Sequence, residues 1–180
     1  LLAETYRYSG KLDEALQMLD RVSKLNPRNS GPLLEMANIY ERTGRTEKLE
    51  ALYRQILVVD SDSVIALNNL AFILAESGKD LDQALGYVQR AKQLEPNKDD
   101  IADTLGLVLI RKGLGDDAIK IFDGLLKKQP NHVTWRYHLA LAFQMSGQRL
   151  KAKQELSVAI KNNPTDSEAK KIKELLAKIG

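Results

Sequence analysis

The chain has 180 residues, a formal net charge of +3, 43% hydrophobic and 28% charged residues, and no cysteine. That composition is typical of a folded globular chain. The missing cysteine excludes disulfides and thiolate-held metals, and no apolar run reaches the ~18 residues of a spanning helix.

Apolar residues recur at spacings of three and four throughout, never in strict alternation, so the spacing predicts helices and no strands. In chain order the predicted helices are 1–9, 12–25, 30–43, 46–59, 64–77, 81–94, 98–112, 115–128, 133–146 and 149–162, with a final helix over 165–180. Leu2, Ala3 and Tyr6 already occupy inner positions of the first helix, so further repeats are expected upstream. Gly10, Gly44, Gly78, Gly113 and Gly147 fall between paired helices at spacings of 34, 34, 35 and 34. Pro27, Pro96, Pro130 and Pro164 follow the second helix of a pair, where proline stops a helix; the second repeat has Ser61 there instead. Ala15, Ala118 and Ala152 each stand five residues after their glycine, and Ala84 six after Gly78, which places a one-residue insertion within 79–82. The second repeat departs from the alanine column, with Leu49 and then Ala51, and its two helices are expected to sit further apart. Thr165 and Glu168 fit a capping box. After them Ile172, Leu175, Leu176 and Ile179 share one face of an amphipathic terminal helix, the form that closes a stack of repeats.

A period of about 34 residues with a glycine turn and a trailing proline resembles the tetratricopeptide repeat. The first-helix signature recurs as Leu2-Ala3-Tyr6, Met36-Ala37-Tyr40, Leu70-Ala71-Leu74, Leu105-Gly106-Leu109 and Leu139-Ala140-Phe143. The resemblance implies an all-α fold: a right-handed superhelical solenoid of helix-turn-helix repeats with a C-terminal capping helix. The repeats fall at about 1–29, 30–63, 64–98, 99–132 and 133–164, with a cap at 165–180 and a truncated first repeat. Such a unit cannot bury its apolar face alone, so neighbours must stack.

Catalytic and metal-binding patterns fail on context. Gly113 to Ala118 formally matches a dinucleotide-binding fingerprint, but that fingerprint requires a preceding strand, and here a helix precedes it. His132 and His138 have no carboxylate or cysteine at metal-ligand spacing; a loop histidine and a packing or partner-facing histidine are expected. Asp99-Asp100 and Asp116-Asp117 start helices, where the dipole favours acids. Trp135 is expected to pack between the fourth and fifth repeats. No cofactor and no metal are expected.

Tetratricopeptide arrays line a concave groove with the first helix of each pair. The resemblance therefore implies a non-catalytic protein–protein interaction scaffold that takes a peptide or protein segment there. The implied lining is Asn38, Glu41 and Arg42 in the second repeat, Asn68, Asn69 and Phe72 in the third, and Asp103, Leu107 and Arg111 in the fourth. The fifth contributes Tyr137, His138, Leu141 and Gln144. Asparagine amides can pair with an extended backbone, and Phe72 and Tyr137 offer apolar anchors; Leu107 and Leu141 are the members most expected to pack internally. Chaperone-binding arrays hold a C-terminal carboxylate with basic residues, but Asp100 and Thr104 stand where those are required. Ala66 to Ala71, Ala102 to Gly106 and Arg136 to Ala140 also look like bacterial tetratricopeptide proteins of exopolysaccharide and surface-protein sorting systems. That likeness leaves a second reading, a regulatory or targeting module of a larger enzyme or envelope assembly. Charge is uneven along the chain: residues 1–110 carry 13 Lys/Arg against 17 Asp/Glu, residues 111–180 carry 14 against 7. The basic end could attract nucleic acid, but no stacking platform accompanies it, so a protein partner is expected.

Overall fold

The computed structural model describes residues 11–180; the predicted helix at 1–9, with Leu2, Ala3 and Tyr6, lies outside the described residues. The described residues form α1 (Leu12–Leu25), α2 (Gly31–Arg42), α3 (Leu49–Val59), α4 (Val64–Ser77) and α5 (Leu81–Leu94). They continue through α6 (Asp99–Arg111), α7 (Gly115–Lys128), α8 (Val133–Met145), α9 (Arg149–Lys161) and α10 (Asp166–Ile179). Among them there is no strand. The chain is an all-α superhelical solenoid of helix-turn-helix units. Consecutive helices pack on each other, and the first helices of successive pairs also touch, α4 on α6, α6 on α8 and α8 on α10. Among the described residues the second helices make no comparable contact from one pair to the next, so the first helices line the inner, concave side of the array.

Local chemistry accounts for the turns. Gly44, Gly78, Gly113 and Gly147 all lie at φ between 69° and 80°, the left-handed region that a side chain disfavours. At Gly113 the backbone closes the helix end, with Gly113 N donating to Ile110 O at 3.0 Å and Leu114 N to Leu109 O at 2.9 Å. The insertion after Gly78 is absorbed by a second left-handed residue, Asp80, at φ 48°. The capping box forms as expected: Thr165 N donates to Glu168 Oε2 at 2.9 Å, and Glu168 N to Thr165 Oγ1 at 3.3 Å.

Packing follows the small positions. Ala15, Ala84, Ala118 and Ala152 are all fully buried, where one helix lies close against another. In the second pair Leu49 takes this place and is buried, while Ala51 faces solvent. The second helix of this pair also starts differently, with a 3-10 turn at Thr46–Lys48 before α3. Gly106 shows how tight the crossings are: a Cβ there would come within 2.4 Å of the buried Phe122 ring. The core runs as two buried clusters, from Ala15 to Val108 and from Ile110 to Ile179.

Candidate functional site

The concave wall presents different chemistry at each repeat junction. Between α6 and α8 it is closed. Leu107 is only 2% exposed and packs in the core, as expected of it among the lining positions, so it drops out of the accessible lining. It belongs to the same buried cluster as Leu70, Ala71 and Leu74 of α4, and its helix also packs on α8. His138 is buried too, and its Nδ1 lies 2.7 Å from Asp103 Oδ1. A carboxylate only accepts, so Nδ1 carries the proton in this bond. The His138 ring packs 5.5 Å from that of Phe122 and 5.9 Å from that of Tyr137. Asp103 and His138 thus tie α6 to α8. Leu141 is half-buried against the core, and Gln144 is half-buried beyond it.

The junction between α2 and α4 is open. These two first helices lack the close approach made by the later ones. Side chains bridge them instead. Tyr53, whose ring is buried, donates its hydroxyl to Glu41 Oε1 at 2.5 Å. Asn69 Nδ2 donates to Glu41 Oε1 at 3.0 Å and to Tyr53 Oη at 2.8 Å. Asn68 Nδ2 donates to Asn69 Oδ1 at 3.3 Å. Burial, reinforced by the bond to Glu41 and opposed by the one from Asn69, raises the Tyr53 phenol well above its ordinary pKa. The expectation that Asn69 offers a free amide to a peptide backbone is therefore corrected: both ends of its amide are engaged within the chain.

Beside this bridge lies a cleft of about 780 Å³, walled by Leu49, Phe72 and Ile73 and rimmed by Glu41 and Glu76. Phe72 is 43% exposed, although it holds the same repeat position as buried Leu107. On the other side of Glu41 a smaller cavity of about 340 Å³ runs past Leu34, Asn38 and Tyr53 to Ile65. Arg111 reaches back to Glu76 at 3.3 Å. Tyr137 is half-buried; burial, with help from Glu76 and Glu174 and opposition from Arg111, raises its phenol pKa. Arg42 is exposed but lines a separate small cavity with Leu12 and Ile39, on the α1 side.

Glu41 lines both cavities, as the second-repeat lining implied, whereas Tyr53, Ile65 and Glu76 belong to the groove without having been among the lining positions expected from the sequence. An exposed Ile65 seven residues before Phe72, on the same helix face, was the available signal for one of them. The histidine in the loop also does more than face solvent: His132 stacks on Trp135 with ring centroids 3.9 Å apart, and its Nδ1 accepts from Trp135 N at 3.4 Å, capping α8. Among the described residues no group of three or more His, Cys, Asp or Glu is placed to hold a metal. Among them, too, no helix is long and apolar enough to cross a membrane.

A solenoid of paired helices with an open concave wall defines a repeat scaffold for protein or peptide partners. The tetratricopeptide repeat model matches residues 6–71 and 109–179, more than half of the chain, and the protein belongs to that family. The chain is 26% identical over 160 residues to the BBSome complex member BBS4 homolog of Drosophila melanogaster, covering 88% of this chain and 33% of that protein. It is 24% identical over 130 residues to the TPR repeat-containing protein PA4667 of Pseudomonas aeruginosa, covering 72% of this chain and 22% of that one. The chain thus spans a third or less of these curated relatives. Among solved structures, it superposes on YrrB, a TPR protein with an unusual peptide-binding site, at a TM-score of 0.76 and 22% identity, covering 96% of this chain and 88% of that one. A MamA structure matches at a TM-score of 0.73 and 24% identity, covering 89% and 87%.

Proposed function

We propose that the chain acts as a non-catalytic scaffold and holds a peptide or protein segment in its concave groove, chiefly at the open α2–α4 junction. The observation that carries this reading is Phe72, a large apolar side chain left 43% exposed beside a cleft on the concave wall. A rigid aromatic next to a concave apolar wall is the usual form of a binding anchor. Tyr137 offers a second anchor two repeats further along. In this reading the His138–Asp103 pair is structural, joining two helices across a buried junction. Repeat boundaries near 30, 64, 99 and 133 and a terminal cap from 165 belong to the same proposal.

The test uses a partner recovered with the full-length protein and titrated calorimetrically against purified variants. Phe72→Ala or Tyr137→Ala should weaken it at least about tenfold, as truncation of an aromatic anchor does. Lys120→Glu, on the outer face, should alter mainly the salt dependence. Circular dichroism checks that the array stays folded. Normal binding by both groove variants, with loss in the Lys120 variant, would refute the groove reading.

A further inference from the structure

We infer that the α2–α4 cleft selects a segment in which a basic side chain adjoins an apolar one: the apolar group enters beside Phe72 and the cation lies between Glu41 and Glu76. This rests on the groove reading above and adds the chemistry of the partner. Three features carry it.

The first is the cleft itself. Its volume of about 780 Å³ exceeds what one side chain needs and falls in the range of about 300–1,000 Å³ seen for ligand pockets. Leu49, Phe72 and Ile73 make its wall apolar. It exists because α2 and α4 stand apart where later first helices touch.

The second is the kind of polar atom on its rim. Glu41 and Glu76 are exposed carboxylates, which only accept hydrogen bonds. Of the uncharged side-chain donors that line the cleft, Asn69 and Ser77 are already used, which leaves the Thr46 hydroxyl. Both Asn69 Nδ2 bonds go to Glu41 and Tyr53, and the Ser77 hydroxyl donates to Leu74 O at 3.0 Å. A carboxylate or a backbone carbonyl of a partner would find few donors here. An ammonium or guanidinium would find acceptors and negative charge.

The third is the placement of nearby cations. Arg42 lines a different cavity on the α1 side. Arg111 pairs with Glu76 through one oxygen, Oε1, from its own exposed position. An incoming guanidinium competes with Arg111 for a rim charge rather than for a buried one, and such exchange costs little. Apolar burial then supplies affinity, and the two carboxylates supply the choice between partners.

The probe is a set of three fluorescein-labelled eight-residue peptides with one Phe each, whose two flanking residues are Arg, Ser or Glu. They are titrated by anisotropy against the full chain at low and high salt. The Arg peptide should bind at least about tenfold more tightly than the Glu peptide, with a preference that shrinks in salt. The double variant Glu41→Gln, Glu76→Gln should erase that preference, while the amide oxygen introduced by Glu41→Gln still offers Tyr53 and Asn69 an acceptor. Arg111→Gln frees Glu76 and should tighten the Arg peptide by about two- to fivefold, a gain that a merely structural role would not produce. Phe72→Ala should weaken all three. Equal binding of the three peptides that Phe72→Ala still weakens would overturn this inference and leave the groove reading standing. An Arg preference that survives the double variant, or that Arg111→Gln reduces, would overturn it as well. Peptide binding indifferent to Phe72→Ala would remove both readings. Failure of all three peptides to bind would overturn the inference, while the groove reading keeps its own test with the native partner.

Discussion

Replacing Tyr53 by Phe isolates the polar bridge that holds the open junction. The ring is buried and Phe fits the same space, so the change removes only the hydroxyl. Lost with it are the 2.5 Å bond to Glu41 and the 2.8 Å bond from Asn69. A hydrogen bond to a charged group contributes about 1.5–3 kcal/mol. Two facts lower that figure: Glu41 is exposed and can recover water, and Asn69 keeps its own 3.0 Å bond to Glu41. The expected loss is about 1–2 kcal/mol, or roughly 2–8 °C in melting temperature for a chain of this size. The phenol gives an independent check. Its pKa is raised in the fold, so the folded state keeps a proton that the unfolded chain releases above about pH 10. Tyr53 therefore contributes stability that is present below that pH and is lost as pH rises toward the folded pKa. Urea titrations at pH 8 and pH 11 should show a steeper alkaline loss for the wild type than for Tyr53→Phe. An unchanged midpoint at pH 8, together with identical alkaline losses, would refute the bridge as a structural element.

Four further outcomes are expected. Ala118→Leu or Ala152→Leu should overpack a fully buried helix crossing and cost about 1–3 kcal/mol, read from thermal melts; Gly106→Ala should also destabilise, because its Cβ meets the Phe122 ring despite the better helix propensity of alanine. Glu168 has its pKa lowered chiefly by the Thr165 backbone N–H, so its contribution is present above about pH 4.3 and is lost as pH falls through the folded pKa; Glu168→Gln should flatten the acid side of the stability profile. Deleting 165–180 uncovers the apolar surfaces that bury Ile172, Leu175 and Ile179, and light scattering should detect association of the truncated chain.

Outer-face lysines also differ from one another. Lys120 pairs with Asp117 on its own helix, whereas Lys153 Nζ reaches Gly180 O at the end of α10, 2.8 Å away. A charge reversal at Lys153 thus perturbs the terminal helix as well as the surface, and Lys120 is the cleaner control.

The sequence by itself determined the repeat, the turns and the caps, because each depends on residues a few positions apart. A left-handed backbone after a helix calls for glycine whatever surrounds it, so Gly44, Gly78, Gly113 and Gly147 could be read directly. The extra residue within 79–82 and the Thr165–Glu168 box are equally local. The groove was legible only as a face. Phe72 and Leu107 occupy the same repeat position, yet one is exposed and the other is core. What separates them is whether the neighbouring first helices close in, which α6 and α8 do and α2 and α4 do not. The bridge of Glu41, Tyr53 and Asn69 draws on three helices and on residues up to 28 positions apart, and the Asp103–His138 bond spans 35. Periodicity names the residues that share a helix face; only the packing of one repeat on the next decides which of them reach solvent, because small shifts in helix separation determine whether a side chain is covered or left at the edge of a cleft.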